Sequence, residues 1–271
     1  MLLNYFILFI GLISWVVLGS KEIEGGQKVF LDDQITMFIL YDNNLFNKKL
    51  KSAWGFSCLI KLSGRTILFD TGGDSTILLA NMEKLGVDPR EVDTVFLSHI
   101  HGDHVGGLAG FLKKNSQVTL YLPASFPQKF KEVLKSLGVK VKEVEKGKAV
   151  FANVYTSGEL GEGIKEQSLI IKTGKGLIVV TGCAHPGVVN VIKKAMDLTG
   201  DKVYLILGGF HLAGYYPARI ENIIDSFLKL GVKKVCPCHC TGEKALALFE
   251  ERYGADYFEC GVGRRILVVS I

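Results

Sequence analysis

From Gln34 to the C-terminus the chain repeats one pattern: a short apolar, β-branched run, a glycine-bearing turn, then an amphipathic stretch. The runs ITMFILY, GFSCLIKL, RTILFD, TVFLS, QVTLYL, SLIIKT, GLIVVTG, KVYLILGG, KKVCPC and RRILVVS fit strands. Several are apolar on both faces, as strands of a covered sheet must be. Between them STILLANMEKLG, PQKFKEVLKSLG, GVVNVIKKAMDLTG, ARIENIIDSFLKLG and EKALALFEERYG show helical spacing, and each ends on glycine. Such alternation implies a layered α/β protein. The succession divides near residues 144–166, where charge and glycine mix and a weak join is expected. Two sheets packed face to face with helices outside fit this order, in one catalytic domain over 34–271.

A net charge of +5, without a dense Lys/Arg block, argues against a nucleic-acid partner. Residues 2–19, LLNYFILFIGLISWVVLG, carry no charged side chain. A spanning helix needs roughly 20 apolar residues, so residues 1–25 are expected to be a signal peptide or membrane anchor. Membrane association would then run through 2–19, and export or anchoring is favoured over a cytoplasmic location. A buried or dimer-forming N-terminal helix is the alternative. The cysteines form no disulfide framework, since Cys236, Cys238 and Cys240 stand too close together in CPCHC to pair as ordinary bridges. Cys58, Cys183 and Cys260 lie in or beside apolar segments and read as buried thiols.

All six histidines fall at the end of an apolar run or just after it, where ligand sites of α/β sheets assemble. His99, His101 and His104 follow TVFLS, His185 follows LIVVTGCA, His211 follows VYLILGGF and His239 follows KKVCPC. In SHIHGDHVGG, at 98–107, His99, His101, Asp103 and His104 crowd four potential ligands into one turn. Imidazole with carboxylate suits Zn²⁺, Mn²⁺ or Fe. Gly102 is expected to permit the sharp turn, and Gly106 and Gly107 the close approach of a following helix.

Here the chain resembles the metallo-β-lactamase superfamily, whose HxHxDH signature stands as His99, His101, Asp103 and His104. The resemblance runs from about Ile35 to the C-terminus and includes FDTGG at 69–73, where Asp70 is similar to a buried aspartate that supports the metal loop. It implies an αββα sandwich of two mixed sheets with helices on the outer faces, and one or two divalent metal ions, zinc first, with Mn or Fe as alternatives. YDNN at 41–44, TGCAHPG at 181–187, GGFHL at 208–212 and CHCTG at 238–242 are similar to the branch that includes dihydropterin–ribofuranosylaminobenzene phosphate synthases.

The second half departs from the superfamily's commoner pattern. Ser157, Gly158 and Glu159 stand where a histidine is usual, and Cys183 stands where an Asp or Cys would be. His185 is therefore expected to supply the missing imidazole and His239 the last one. Cys183 is a further ligand or a small core residue; His211 more readily binds substrate or protonates a leaving group than coordinates. CPCHC lacks the second ligand pair of a structural zinc site. If its strand ran on, Cys238 and Cys240 would face away from His239 as packing residues.

Three functions compete. The superfamily implies hydrolysis of an ester, thioester, lactam or phosphodiester in a small substrate by a metal-bound hydroxide, with Asp103 orienting the nucleophile. The narrower resemblance implies condensation of a dihydropterin diphosphate with an arylamine; a phosphorylated substrate would suit the basic balance, including Lys165, Arg264 and Arg265. The apolar N-terminus suggests instead a non-catalytic metal-binding protein of the cell surface.

Overall fold

The computed structural model describes residues 34–269, so the 2–19 run and its reading as a signal or anchor lie outside the described residues. Among the described residues no helix is long and apolar enough to cross a membrane. The strands are β1 Gln34–Tyr41, β2 Ser57–Leu62, β3 Arg65–Phe69, β4 Thr94–Phe96, β5 Thr119–Pro123, β6 Lys140–Val144, β7 Lys146–Phe151, β8 Val154–Gly158, β9 Leu169–Thr173, β10 Gly176–Thr181, β11 Val203–Gly209, β12 Lys234–Cys238 and β13 Arg265–Val269. The helices are α1 Ser75–Lys84, α2 Gly102–Val105, α3 Leu108–Lys114, α4 Gln128–Ser136, α5 Val188–Thr199, α6 Pro217–Leu230 and α7 Glu243–Tyr253.

They build two mixed sheets, ordered β13-β1-β2-β3-β4-β5-β6 and β12-β11-β10-β9-β8-β7. The continuous apolar runs are explained by what covers each face. In β1, Met37 and Ile39 join a core shared with Ile178 and Val180 of β10, while Leu40 packs with Leu78 and Met82 of α1. In β10, Leu177 and Val179 turn outward to α5 and α6. Both faces are thus dry, which gives the αββα sandwich. Helix α5 buries Val188, Val191, Ile192 and Ala195, one stripe at helical spacing, and stops at Gly200 with φ 77°.

The weak join expected at 144–166 is instead an antiparallel β7–β8 hairpin that closes the second sheet. Strand β7 is an edge, so Lys146 and Lys148 stand exposed along it and hide its alternation from a hydrophobic scan. Charged edge strands resist pairing with other chains. Strand β6, the edge of the first sheet, carries Lys140 and Lys142 for the same reason and was likewise not expected.

Parallel pairing of β3 with β4, of β10 with β11 and of β11 with β12 lines up their carboxyl ends. Every histidine lies just beyond one of these ends.

Candidate metal centre

The chain leaves β4 through Ser98, His99 and Ile100 and enters α2 at Gly102, with His99 and His104 buried and His101 and Asp103 partly open. Asp70, just past β3, is fully buried and backbone-strained at φ 55°. Its Oδ1 accepts from the Ser98 backbone N–H at 2.7 Å, and its Oδ2 from the Ser98 hydroxyl at 2.6 Å and from His104 Nδ1 at 2.7 Å. With its proton committed to Asp70, Ser98 Oγ can only accept from His99 Nδ1, 2.9 Å away. One carboxylate therefore fixes both tautomers and leaves the Nε2 lone pairs of His99 and His104 facing inward. Gly106 and Gly107 let α2 and α3 close on the 71–73 turn, since a Cβ at either would fall within 2.3 Å of the Gly73 or Thr71 carbonyl oxygen. Gly102, expected to make the turn, has an unremarkable φ and open space around its missing Cβ; the turn does not depend on it.

The second half contributes to the candidate centre from two strand ends. After β10, Cys183 and His185 are presented by a loop hung on Glu166, a buried residue that the sequence reading did not single out. Glu166 Oε1 accepts from the Thr181 hydroxyl and from the N–H groups of Gly182, Cys183 and Ala184 at 2.9–3.0 Å, and Oε2 accepts from the His185 N–H at 2.8 Å. Gly182 abuts Ser98, whose Oγ would lie 2.2 Å from a Cβ there, so the two halves meet at this point. After β12, His239 turns at φ 51°. Its N–H donates to Asp42 Oδ2 at 3.0 Å and its Nδ1 to Asn43 Oδ1 at 3.1 Å, which frees Nε2. Asn43 is held the right way round because its Nδ2 donates to the His239 carbonyl and its Oδ1 also accepts from Gly55.

Two donor sets result. His99, His101 and His185 form one, and Asp103, His104, Cys183 and His239 the other, the ligand atoms of each lying within 4.8 Å of one another. The sets touch, with the His99 and His104 ring centroids 4.2 Å apart. His104 Nε2 and His239 Nε2 are separated by 3.2 Å, and His99 Nε2 and His101 Nδ1 by 3.1 Å. A tetrahedral cation with metal–nitrogen bonds of 2.0–2.1 Å would set its ligands about 3.3 Å apart. The facing lone pairs of His104 and His239 repel unless a positive charge lies between them, and His185 Nε2 is a buried nitrogen without a hydrogen-bond partner. The residues therefore fit a divalent metal.

The electrostatics agree. Burial and the surrounding imidazoles push His99 far below an ordinary histidine, so it stays neutral as a ligand must. Burial and neighbouring His211 lower His185 to about 4. Burial opposes charge on His104, but Asp70 and Asp103 overcome it and raise its affinity for a positive charge. Asp103 is partly buried, yet contact with His239 and His104 holds it below the usual carboxylate range.

His211 belongs to neither set. It is exposed, its ring 4.5 Å from that of His185, and its nitrogen lies near the sulfurs of Cys183 and Cys240. Cys236 and Cys238 pack between the sheets, but Cys240 does not. The strand stops at Cys238 instead of running on, and His239–Thr241 form one turn of 3-10 helix that swings Cys240 back toward Cys183. All six cysteines are free and buried. Ser157, Gly158 and Glu159 lie at the end of β8, where Glu159 accepts from Ser125. Arg264 and Arg265 stack over Phe46 and Phe38. Trp54, 61% exposed, stands beside His239 with ring centroids 5.0 Å apart, an aromatic wall with no signal in the sequence pattern.

The model of the metallo-β-lactamase superfamily matches residues 55–239. Among individual proteins, the chain is 31% identical to the 7,8-dihydropterin-6-methyl-4-(β-D-ribofuranosyl)-aminobenzene-5′-phosphate synthase of Methanocaldococcus jannaschii, over 86% of this chain and 97% of that protein. It is similar in structure to Tm1679, described as a metal-dependent hydrolase of the β-lactamase superfamily, with a TM-score of 0.72 and 28% identity over 88% of this chain and all of that one. The metallo-β-lactamase fold protein YhfI from Bacillus subtilis shares the fold, with a TM-score of 0.63 and 13% identity over 87% of this chain and all of that one.

Proposed function

The chain belongs to the metallo-β-lactamase superfamily, and from that premise we propose that it is a metal-dependent hydrolase opening an ester, thioester, lactam or phosphodiester bond in a small substrate. The observation that carries this reading is the pair of abutting donor sets, with the tautomers of His99, His104 and His239 already set by their hydrogen bonds. Divalent ions held there, zinc first and Mn or Fe as alternatives, would lower the pKa of water toward 7 and polarise a carbonyl or phosphoryl oxygen. His99, His101 and His185 would hold one ion, and Asp103, His104, His239 and Cys183 a second. Asp103, partly open, can accept a hydrogen bond from the attacking water and so aim it. His211, exposed at the rim, is placed to protonate a leaving group. In the test, chelated protein is assayed before and after Zn²⁺ or Mn²⁺ return on one model substrate of each bond type. Turnover restored by metal and absent from His101→Ala supports the reading; turnover that survives chelation overturns it.

A second reading is a synthase, condensing a dihydropterin diphosphate with an arylamine and losing diphosphate. Similarity along nearly the whole of the methanogen enzyme favours it, and Trp54 offers a flat face on which a pterin ring could stack. Diphosphate release that requires both substrates would select it over hydrolysis.

A further inference from the structure

Cys240 is not used by either donor set. Its sulfur, the sulfur of Cys183 and a ring nitrogen of His211 nevertheless lie within 4.8 Å of one another. Both cysteines are buried, at 4% and 5% exposure, while His211 opens to solvent. Cys58, Cys236, Cys238 and Cys260 are core residues between the sheets; Cys183 and Cys240 stand apart at the strand ends. Their positions are fixed. A Cβ at Gly209 would fall 2.6 Å from the Cys240 sulfur, so no side chain there could let it approach, and the Ala213 N–H donates to the Cys240 carbonyl at 3.4 Å, tying the His211 loop to the Cys240 turn. His211 itself is held at φ 53°, a conformation costly for a histidine.

We propose that Cys183, His211 and Cys240 form a third cation site, for a thiophilic divalent ion of the Zn²⁺ class, sharing the Cys183 sulfur with the Asp103, His104 and His239 set. Two sulfurs and an imidazole are the donors that zinc-like ions take in preference to Mg²⁺ or Mn²⁺. Two thiolates would offset the ion's double charge, and their protons leave to solvent on loading. Three protein ligands with the remaining direction toward solvent at His211 is the pattern of a site that keeps a position open. An anionic group of a substrate could occupy it. The inference concerns ligation and goes beyond the hydrolytic reading, standing or falling without it.

The test loads reduced, metal-free protein with Co²⁺ or Cd²⁺ and reads both the equivalents bound and the thiolate-to-metal charge-transfer absorption. Cys240→Ser is expected to bind one equivalent fewer than the wild type and to lose a resolved part of that absorption. His211→Ala, altered at an exposed position where folding is least at risk, is expected to lose the same equivalent. His101→Ala should lose metal from the other side of the centre while keeping the absorption that depends on Cys240. Wild-type stoichiometry and full charge-transfer intensity in Cys240→Ser, or an undiminished metal count in His211→Ala, would overturn the proposal. A loaded wild type that turns over no ester or phosphodiester would sink the hydrolytic reading and leave these measurements unchanged.

Discussion

The two halves of the molecule supply the centre in different ways. In the first, one turn between β4 and α2 carries His99, His101, Asp103 and His104, and one buried carboxylate, Asp70, orients it. In the second, the donors come from separate strand ends, and each donor loop after β10 and β12 has its own buried carboxylate: Glu166 under Cys183 and His185, Asp42 under His239. A contiguous loop is aligned by its own chain, so a single brace suffices. Ligands far apart in sequence must each be held against the conformational entropy of their own loop.

The largest effect should come from the ligands themselves. Structural zinc contributes roughly 10–16 kcal/mol, so a quarter of that, about 2.5–4 kcal/mol or roughly 10²- to 10³-fold in affinity, is the expected loss for His101→Ala, His185→Ala or His239→Ala. His211→Ala should keep the metal of both main donor sets yet turn over slowly. Metal titrations of the four variants compare the halves directly. If His185→Ala retains full occupancy while the first-half variant does not, the second half is no part of the centre and the comparison breaks.

Next come the braces. Glu166→Ala strips the acceptor from four backbone N–H groups and a hydroxyl, and the fold should lose at least about 3 kcal/mol in a denaturant titration, since each buried donor left unpaired costs about 1–3 kcal/mol. Metal affinity should fall about 10- to 100-fold. Asp70→Ala should do comparable damage to the first-half set. A Glu166→Ala protein as stable as the wild type would show that the second-half loop holds itself. Asn43→Ala sharpens the same point more gently: it frees the His239 ring to turn, and affinity should drop by about tenfold.

A further contrast is a difference in pH dependence. His185 is held near 4 against an ordinary 6.5, so in metal-free protein its protonation opposes the fold. The stability it contributes is present above 6.5 and is lost as pH falls toward 4. Over that window metal-free wild type should lose stability relative to His185→Gln, and above it the two should run parallel. Denaturant midpoints whose difference stays flat from neutral pH to 4 would exclude the effect.

The same contrast governs what could be read from sequence. The two-sheet architecture and the first-half candidate site were legible because continuous apolar runs report covered strands and four potential ligands in one turn mark a place that could hold a metal. Asp70 was legible only through resemblance. Glu166 was invisible: a glutamate beside glycines and lysines carries no mark of burial, and its role exists only once β10 ends beside it. Cys240 was misplaced because the departure from strand geometry at His239 rests on a left-handed residue that is not glycine. The edges β6 and β7 carry lysines and little burial, so no apolar alternation marks them in the sequence.

Among the described residues, five non-glycine positions have a left-handed backbone, and four of them, Asp70, Ala184, His211 and His239, surround the centre. Each such residue costs of order 1–3 kcal/mol, carried by the packed sheets on either side. That cost is met when the chain folds, before any ion arrives. Loading should therefore resemble docking into a finished receptor: uptake in one step first order in metal, with little change in far-ultraviolet circular dichroism, and no slow phase of chain rearrangement behind it.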